Sequence, residues 1–373
     1  MIDIRKFFSG AALVAASTLG AGIFALPYVF KEGGWVVSLF YAAAFSFFIA
    51  AAHILYWKAL EKIGEKKRIL GLARDYLGKA GYYFAIIGIA VGLLLTLVAY
   101  LLVGGMFLQS IFPSLGSGAI LVFWVAVSIP LLLSDKKTTI IEVAGVAATS
   151  LIIIFMFLSS LPSAGFFSST AINVGNIFLP FGAILFALAG WTSVERVYDY
   201  FRGKHVSPEK VAFSIASGTV LVALLYLLFV FGIFGSATTI TSDTISGVYN
   251  WPIWKGLLLG VLGLIAVWTS HLPISLETKN AFEHDLHWSA TASRILVIFL
   301  PLALVLIGFN SFLWVISLVG GVFIGLQYLL VILVGKKIVH PTGFYNLLLN
   351  LACVVFVVAA IYELYYFIIN PGN

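Results

Sequence analysis

The chain has 373 residues, of which 62% are hydrophobic and 10% charged, with a net charge of +6 and a mean hydropathy of +1.10. A water-soluble chain normally carries about 25% charged residues, and a core of this size could not hide so much apolar side chain; a soluble protein is excluded. The one cysteine, Cys353, lies within an apolar run, so no intrachain disulfide can form.

In hydrocarbon every backbone N–H and C=O must be paired internally, which leaves helices or a closed barrel. The apolar runs do not alternate with period two, so a barrel is excluded. Taken in chain order, spans are predicted at 7–30, 34–58, 82–112, 118–134, 139–161, 177–201, 210–236, 255–275, 292–309, 311–334 and 343–369. That is about eleven, most of them longer than the roughly 20 residues a crossing needs. Only Asn310 separates the ninth from the tenth. Residues 62–79 are expected to form a short helix on the cytoplasmic surface, anchored by Ile69, Leu70 and Leu72.

The cations fall in alternate connections: Arg5-Lys6, 62–79, Lys136-Lys137, 202–210, 279–294 and Lys336-Lys337. The intervening connections, 113–118, 162–175, 237–254 and Asn310, are nearly free of them, with Lys31 and Lys255 as exceptions. By the positive-inside rule this predicts a multi-pass protein of the cytoplasmic membrane with its N-terminus inside and its C-terminus outside. The same dispersal over short loops argues against nucleic acid as a partner.

Two spans carry helix-breaking residues near the midplane. The first reads Ser17-Thr18-Leu19-Gly20-Ala21-Gly22-Ile23-Phe24-Ala25-Leu26-Pro27-Tyr28. Glycine costs about 1 kcal/mol in a helix interior and proline removes a backbone bond. Gly20 lies 13 residues after Phe7, about 20 Å into the bilayer. The sixth span contains Phe186-Ala187-Leu188-Ala189-Gly190-Trp191-Thr192, with Gly190 at matching depth. Close helix packing alone would use such glycines. Two matched breaks instead divide a single transmembrane transporter domain, 1–373, into inverted halves, 1–161 and 177–334, with 343–369 as an extra helix. A substrate site is then expected between the breaks.

The segment Gly20-Ala21-Gly22-Ile23-Phe24-Ala25-Leu26-Pro27-Tyr28 resembles the first-helix signature of the amino acid/auxin permease family and its bacterial aromatic amino acid permease relatives. These belong to the amino acid–polyamine–organocation superfamily. Residues 72–81, Ala99-Tyr100 with Gly104-Gly105, and Thr269-Ser270 followed by Asp285 agree with it. Gly190-Trp191 followed by Glu195 is more similar to sister permeases of the arginine/agmatine-exchanger type. The resemblance implies an all-α, LeuT-like fold of five plus five inverted spans with helices one and six broken. It implies a secondary active amino acid symporter working by alternating access; an exchanger or a polyamine carrier of the same fold is the nearest alternative.

Carried over residue by residue, the resemblance places a substrate α-carboxylate on the N–H groups of Gly20, Ala21 and Gly22, and the α-amine on carbonyls between Phe186 and Gly190, Ala187 included. The dipoles agree, because a half-helix N-terminus carries about half a positive charge and orphan carbonyls the reverse. Ala25, Tyr100, Phe186 and Trp191 are candidates for the side-chain pocket.

For the coupling ion, Ala266, Thr269 and Ser270 can give a carbonyl and two hydroxyls to Na+. The resemblance adds the carbonyls of Ala16 and Leu19. Alternatively Thr269 and Ser270 bond back into their own helix. A proton is the competing ion, with Glu195 as its carrier unless that carboxylate pairs with Arg196 or another basic group. His271 reads as a packed histidine, while His53 and Glu142 read as snorkelling residues near helix ends. The loop Glu283-His284-Asp285-Leu286-His287 lacks a second cluster of metal ligands, so no cofactor or metal beyond Na+ is expected. No convergent catalytic set lies inside the spans, so an enzyme is not expected.

Overall fold

The computed structural model describes residues 4–64, 68–132, 138–160, 170–248 and 250–369. These form fifteen α-helices: α1 Ile4–Thr18, α2 Leu26–Gly33, α3 Trp35–Ile63, α4 Ile69–Ile86, α5 Gly92–Ile111, α6 Ala119–Leu132, α7 Thr138–Leu158, α8 Leu179–Leu188, α9 Thr192–Phe201, α10 Pro208–Phe234, α11 Ile253–Asn280, α12 Ala290–Leu306, α13 Phe312–Leu318, α14 Gly325–Val339 and α15 Gly343–Ile369. Among the described residues, seven helices are long and apolar enough to cross a membrane, and α1 with α2 forms one bent crossing. Shorter apolar helices at 144–158 and 290–306, and the interrupted pair α8 and α9, account for the remaining expected spans.

Local chemistry sets the helix ends. Pro27, Pro180 and Pro208 stand in the first turns of α2, α8 and α10, where a missing N–H costs nothing. Ser289 and Ser311 cap α12 and α13 by accepting from Ala292 and Trp314. The ninth and tenth spans are separated by 307–311 rather than by Asn310 alone, because Gly308 turns the chain at φ 123°. The helix expected within 62–79 begins at Ile69, with Ile69, Leu70 and Leu72 buried, and Gly78 at φ 71° breaks its line before the third span. Lys136 and Lys137, the start of the 162–175 connection, and the side chains of Arg5, Lys6, Glu142 and His284 lie outside the described residues.

At the centre is α5, buried at every position from Gly92 to Gly105. A helix apolar on all sides belongs inside. It packs against α6, α11, α12 and α13, and α1, α3, α8, α10 and α14 complete one apolar core. The outer faces carry Phe40, Phe47, Leu151, Leu224 and Ile361, all exposed, as lipid contact requires. Lys255, an exception to the charge alternation, turns inward. Its ammonium donates to Ser160 Oγ at 3.2 Å and to Ser236, 4.9 Å from the Trp251 ring centroid.

Candidate functional site

The first span is interrupted between α1 and α2. Leu19 still donates to Ala15 O at 2.8 Å, but Gly20 is extended at φ −143°, ψ −155°. A short 3-10 turn, Ala21–Ala25, then leads into α2, and the two halves are bent by 57°. Gly20 has left the helix, so its N–H no longer serves the Ala16 carbonyl. Ile23, bonded to Gly20 O at 3.4 Å, is the first residue past the break whose N–H returns to the backbone. The 3-10 turn is held by Phe24, fully buried with its centroid 4.4 Å from Phe107 and 5.7 Å from Phe229.

The sixth span is interrupted at Ala189 and Gly190. Ala189 is extended at φ −65°, ψ 126°. Ser193 N–H bonds the Gly190 carbonyl at 2.9 Å, so the Ala189 carbonyl loses its helical donor. Gly190 N–H goes to Tyr328 Oη at 3.0 Å, and Trp191 Nε1 to Gln327 Oε1 at 2.7 Å. Gln327 in turn donates to Gly88 O at 2.9 Å, which fixes the indole.

The two breaks touch. A Cβ on Gly22 would lie 2.5 Å from Ala187 Cα, and one on Gly190 would strike Thr18 Oγ1. Tyr226 Oη, on α10, reaches Thr18 O at 2.6 Å and Ala187 O at 2.9 Å and so bridges them. Tyr100 and Ser270 hydroxyls converge on Gly20, at 2.9 and 3.0 Å from the place a Cβ would occupy.

Beside the breaks is a cavity of about 30 Å3, lined by Ser17, Thr96, Tyr100, Phe186, Ala189, Gly190, Trp191, Thr192 and Gln327 among others. The structure therefore gathers Tyr100, Phe186, Gly190 and Trp191. It packs Gly20, Gly22 and Ala187 at the contact between the breaks, while Ala21 and Ala25 are fully buried beside them and line no part of this cavity. Ligand pockets measure about 300–1,000 Å3, so this conformation is closed around the breaks. The Tyr100 and Phe186 rings, edge to face at 6.4 Å, fill the space.

Of the sodium candidates, Ser270 Oγ and Leu19 O lie 2.6 Å apart. Thr269 Oγ1 turns back to Ile265 O at 2.7 Å and Ala266 O at 3.3 Å, the within-helix bonding weighed from the sequence. Pro273, inside α11, has no N–H for the Thr269 carbonyl and frees a further oxygen there.

Glu195 is paired, and its cation is Arg68 at 3.2 Å rather than Arg196. Tyr56 donates to its other oxygen at 2.6 Å, and Arg68 also pairs with Glu277. Arg196 instead donates to Ser17 on α1. Burial works against the Arg68 charge, but the Glu277 and Glu195 carboxylates more than reverse that effect. Asp285 is pushed up to about 6 by burial and then by the Glu277 charge. His53 corrects the snorkelling expectation: it is fully buried, with Nε2 2.9 Å from Tyr328 Oη and no partner for Nδ1. His271 is packed, with Nδ1 3.1 Å from Ser275 Oγ.

Sequence reasoning missed Tyr226, Tyr328 and Gln327, whose side chains read as ordinary occupants of apolar helices. It also missed Arg68, which sits in a connection counted only for its charge.

The family model for tryptophan/tyrosine permeases matches residues 3–365. Among solved structures, MhsT in complex with L-phenylalanine is similar over 98% of this chain and 98% of its own, at TM-score 0.69 and 16% identity. A manganese transporter of Eremococcus coleocola, in complex with an aromatic bis-isothiourea compound, is similar over 100% of this chain and 90% of its own, at TM-score 0.70 and 13% identity. Mhp1, a nucleobase-cation-symport-1 transporter in a closed conformation with bromovinylhydantoin bound, is similar over 96% and 91%, at TM-score 0.61 and 14% identity. At such identities the likeness is one of fold, and that fold is LeuT-like. No curated protein sequence matches the chain.

Proposed function

The chain belongs to the tryptophan/tyrosine permease family, a multi-span membrane permease rather than an enzyme, and from that premise we propose a symporter of aromatic amino acids. The observation that carries the reading is the contact between two breaks of opposite backbone polarity. The N–H groups of Gly20, Ala21 and Gly22 receive the α-carboxylate. Carbonyls near the sixth-span break, Ala189 included, receive the α-amine. Hydrogen bonds to charged groups contribute about 1.5–3 kcal/mol each, and several are needed to offset desolvation of two charges. The aromatic side chain lies against Tyr100, Phe186 and Trp191, whose rings must move apart on binding because the cavity between them is only about 30 Å3.

The halves 1–161 and 177–334 act as inverted repeats and 343–369 as an added helix, supported by the position of a break in the first span of each half. The N-terminus lies in the cytoplasm and the C-terminus outside. The coupling ion is Na+, held by the carbonyls of Ala16, Leu19 and Ala266 with Ser270 and, after rotating from its own helix, Thr269. The 2.6 Å approach of Ser270 to Leu19 O supports this. A proton on Glu195 is the second reading, favoured by the burial of that carboxylate against Tyr56.

Uptake of labelled tryptophan, tyrosine and phenylalanine into proteoliposomes is the test. Uptake driven by an inward Na+ gradient is expected. Uptake driven only by a proton gradient would select Glu195; uptake only into preloaded vesicles would select exchange; and inhibition by amines lacking a carboxylate would select an amine carrier. No uptake of any kind would overturn the reading.

A further inference from the structure

A second and larger cavity, about 290 Å3, lies between the start of α8, the start of α13, Tyr28 on α2 and the C-terminal turns of α15. It shares no lining residue with the cavity beside the breaks, and it approaches the size of a small-ligand pocket. Among the described residues one charged group lines it, Glu363 of α15. That residue is 5% exposed and, among the described residues, has no hydrogen-bond or ion-pair partner. Its carboxylate is accommodated by two glycines: a Cβ on Gly182 would lie 3.1 Å from Oε1, and one on Gly321 2.9 Å. A buried carboxylate with no partner is costly, and inside a membrane span such a group marks a functional site by default.

The other walls indicate the missing partner. Phe178 and Tyr362 stack with centroids 4.2 Å apart, and Tyr28 and Trp314 complete an aromatic lining. A bare metal ion would require several oxygen or nitrogen ligands around one point. Among the described residues the lining offers one carboxylate, the other oxygens being the neutral ones of Asn176, Ser311, Ser317 and two tyrosines. An ammonium ion would pair with Glu363 and gain from the ring faces. Among the described residues no lysine or arginine lines the cavity to receive a substrate carboxylate.

We infer that this cavity is a second binding site, for an organic amine bearing an aromatic ring, with Glu363 as its anionic partner. Binding of labelled tryptamine to the full-length protein in nanodiscs tests it. Wild type binds in the presence of saturating tryptophan, Glu363→Gln weakens tryptamine binding at least tenfold, and its unfolding midpoint stays near wild type. If Glu363→Gln does not fold, Trp314→Ala must produce the same loss. Three results overturn the inference: no tryptamine binding, unchanged binding in Glu363→Gln, or complete displacement by tryptophan, which would place the amine at the breaks. A failure of amino acid uptake would refute the transport reading and leave this one standing.

Discussion

At the first break the surrounding protein takes the carbonyls, Thr18 O through Tyr226 and Leu19 O through Ser270. Of the N–H groups it takes that of Gly20, which faces the Tyr226 oxygen, and leaves those of Ala21 and Gly22 over. At the sixth it takes the Gly190 N–H through Tyr328 and the Gly190 carbonyl through Ser193, and leaves the Ala189 carbonyl without its helical donor. Two interruptions of similar length thus present opposite polarity. Glycine makes a break possible, but the side chains of other helices decide which backbone groups remain for a ligand. A zwitterion can be received in this way with no charged side chain at the breaks.

The glycines give the largest effects and the sharpest contrast. Gly22→Ala directs a methyl group at the backbone of Ala187; such overpacking costs about 1–3 kcal/mol, so tryptophan affinity should fall roughly 5- to 150-fold. Gly190→Ala meets only the Thr18 hydroxyl, so pairing it with Thr18→Ala should restore binding. No rescue would mean that the two contacts do not differ in kind.

Next, Tyr328→Phe removes the acceptor for the buried Gly190 N–H, which costs about 1–3 kcal/mol. Tyr226→Phe removes one shared donor, worth about 1 kcal/mol, or roughly a fivefold rise in KM. If Tyr226→Phe is the more damaging in uptake assays, the assignment of polarity to the two breaks is wrong.

The smallest effect concerns the end of the molecule where Arg68 ties α9 to α11 through Glu195 and Glu277. Asp285 nearby titrates at about 6, raised from 3.8. A raised carboxylate favours folding below its unfolded pKa and loses that contribution as pH rises through the folded value. Asp285→Asn should therefore remove a shallow fall in the thermal midpoint between about pH 4 and pH 6, and an unchanged profile would show that this end is insensitive to Asp285.

The spans and both breaks were legible because hydropathy, glycine and proline act locally. The pairs holding the breaks were not: Tyr226 meets Thr18 across 208 positions and Tyr328 meets Gly190 across 138. Hydropathy names a helix but not the neighbour its polar atom faces. His53 was misread for this reason, since position near a helix end suggested water while packing gave it Tyr328. Glu363 is legible by the same rule as Glu195, an ionisable residue within a span, but the cavity it lines is assembled from turns of three other helices that hydropathy does not bring together.

Tyr226 has a single proton and two carbonyls within reach, one on each broken helix. A hydroxyl donates that proton to one of them at a time. When one half-helix slides past the other, the bond can pass from Thr18 to Ala187 without an interval in which both are lost. In the proposed alternating-access cycle Tyr226 would then act as a bearing, keeping the breaks in contact while adding little resistance to their relative motion.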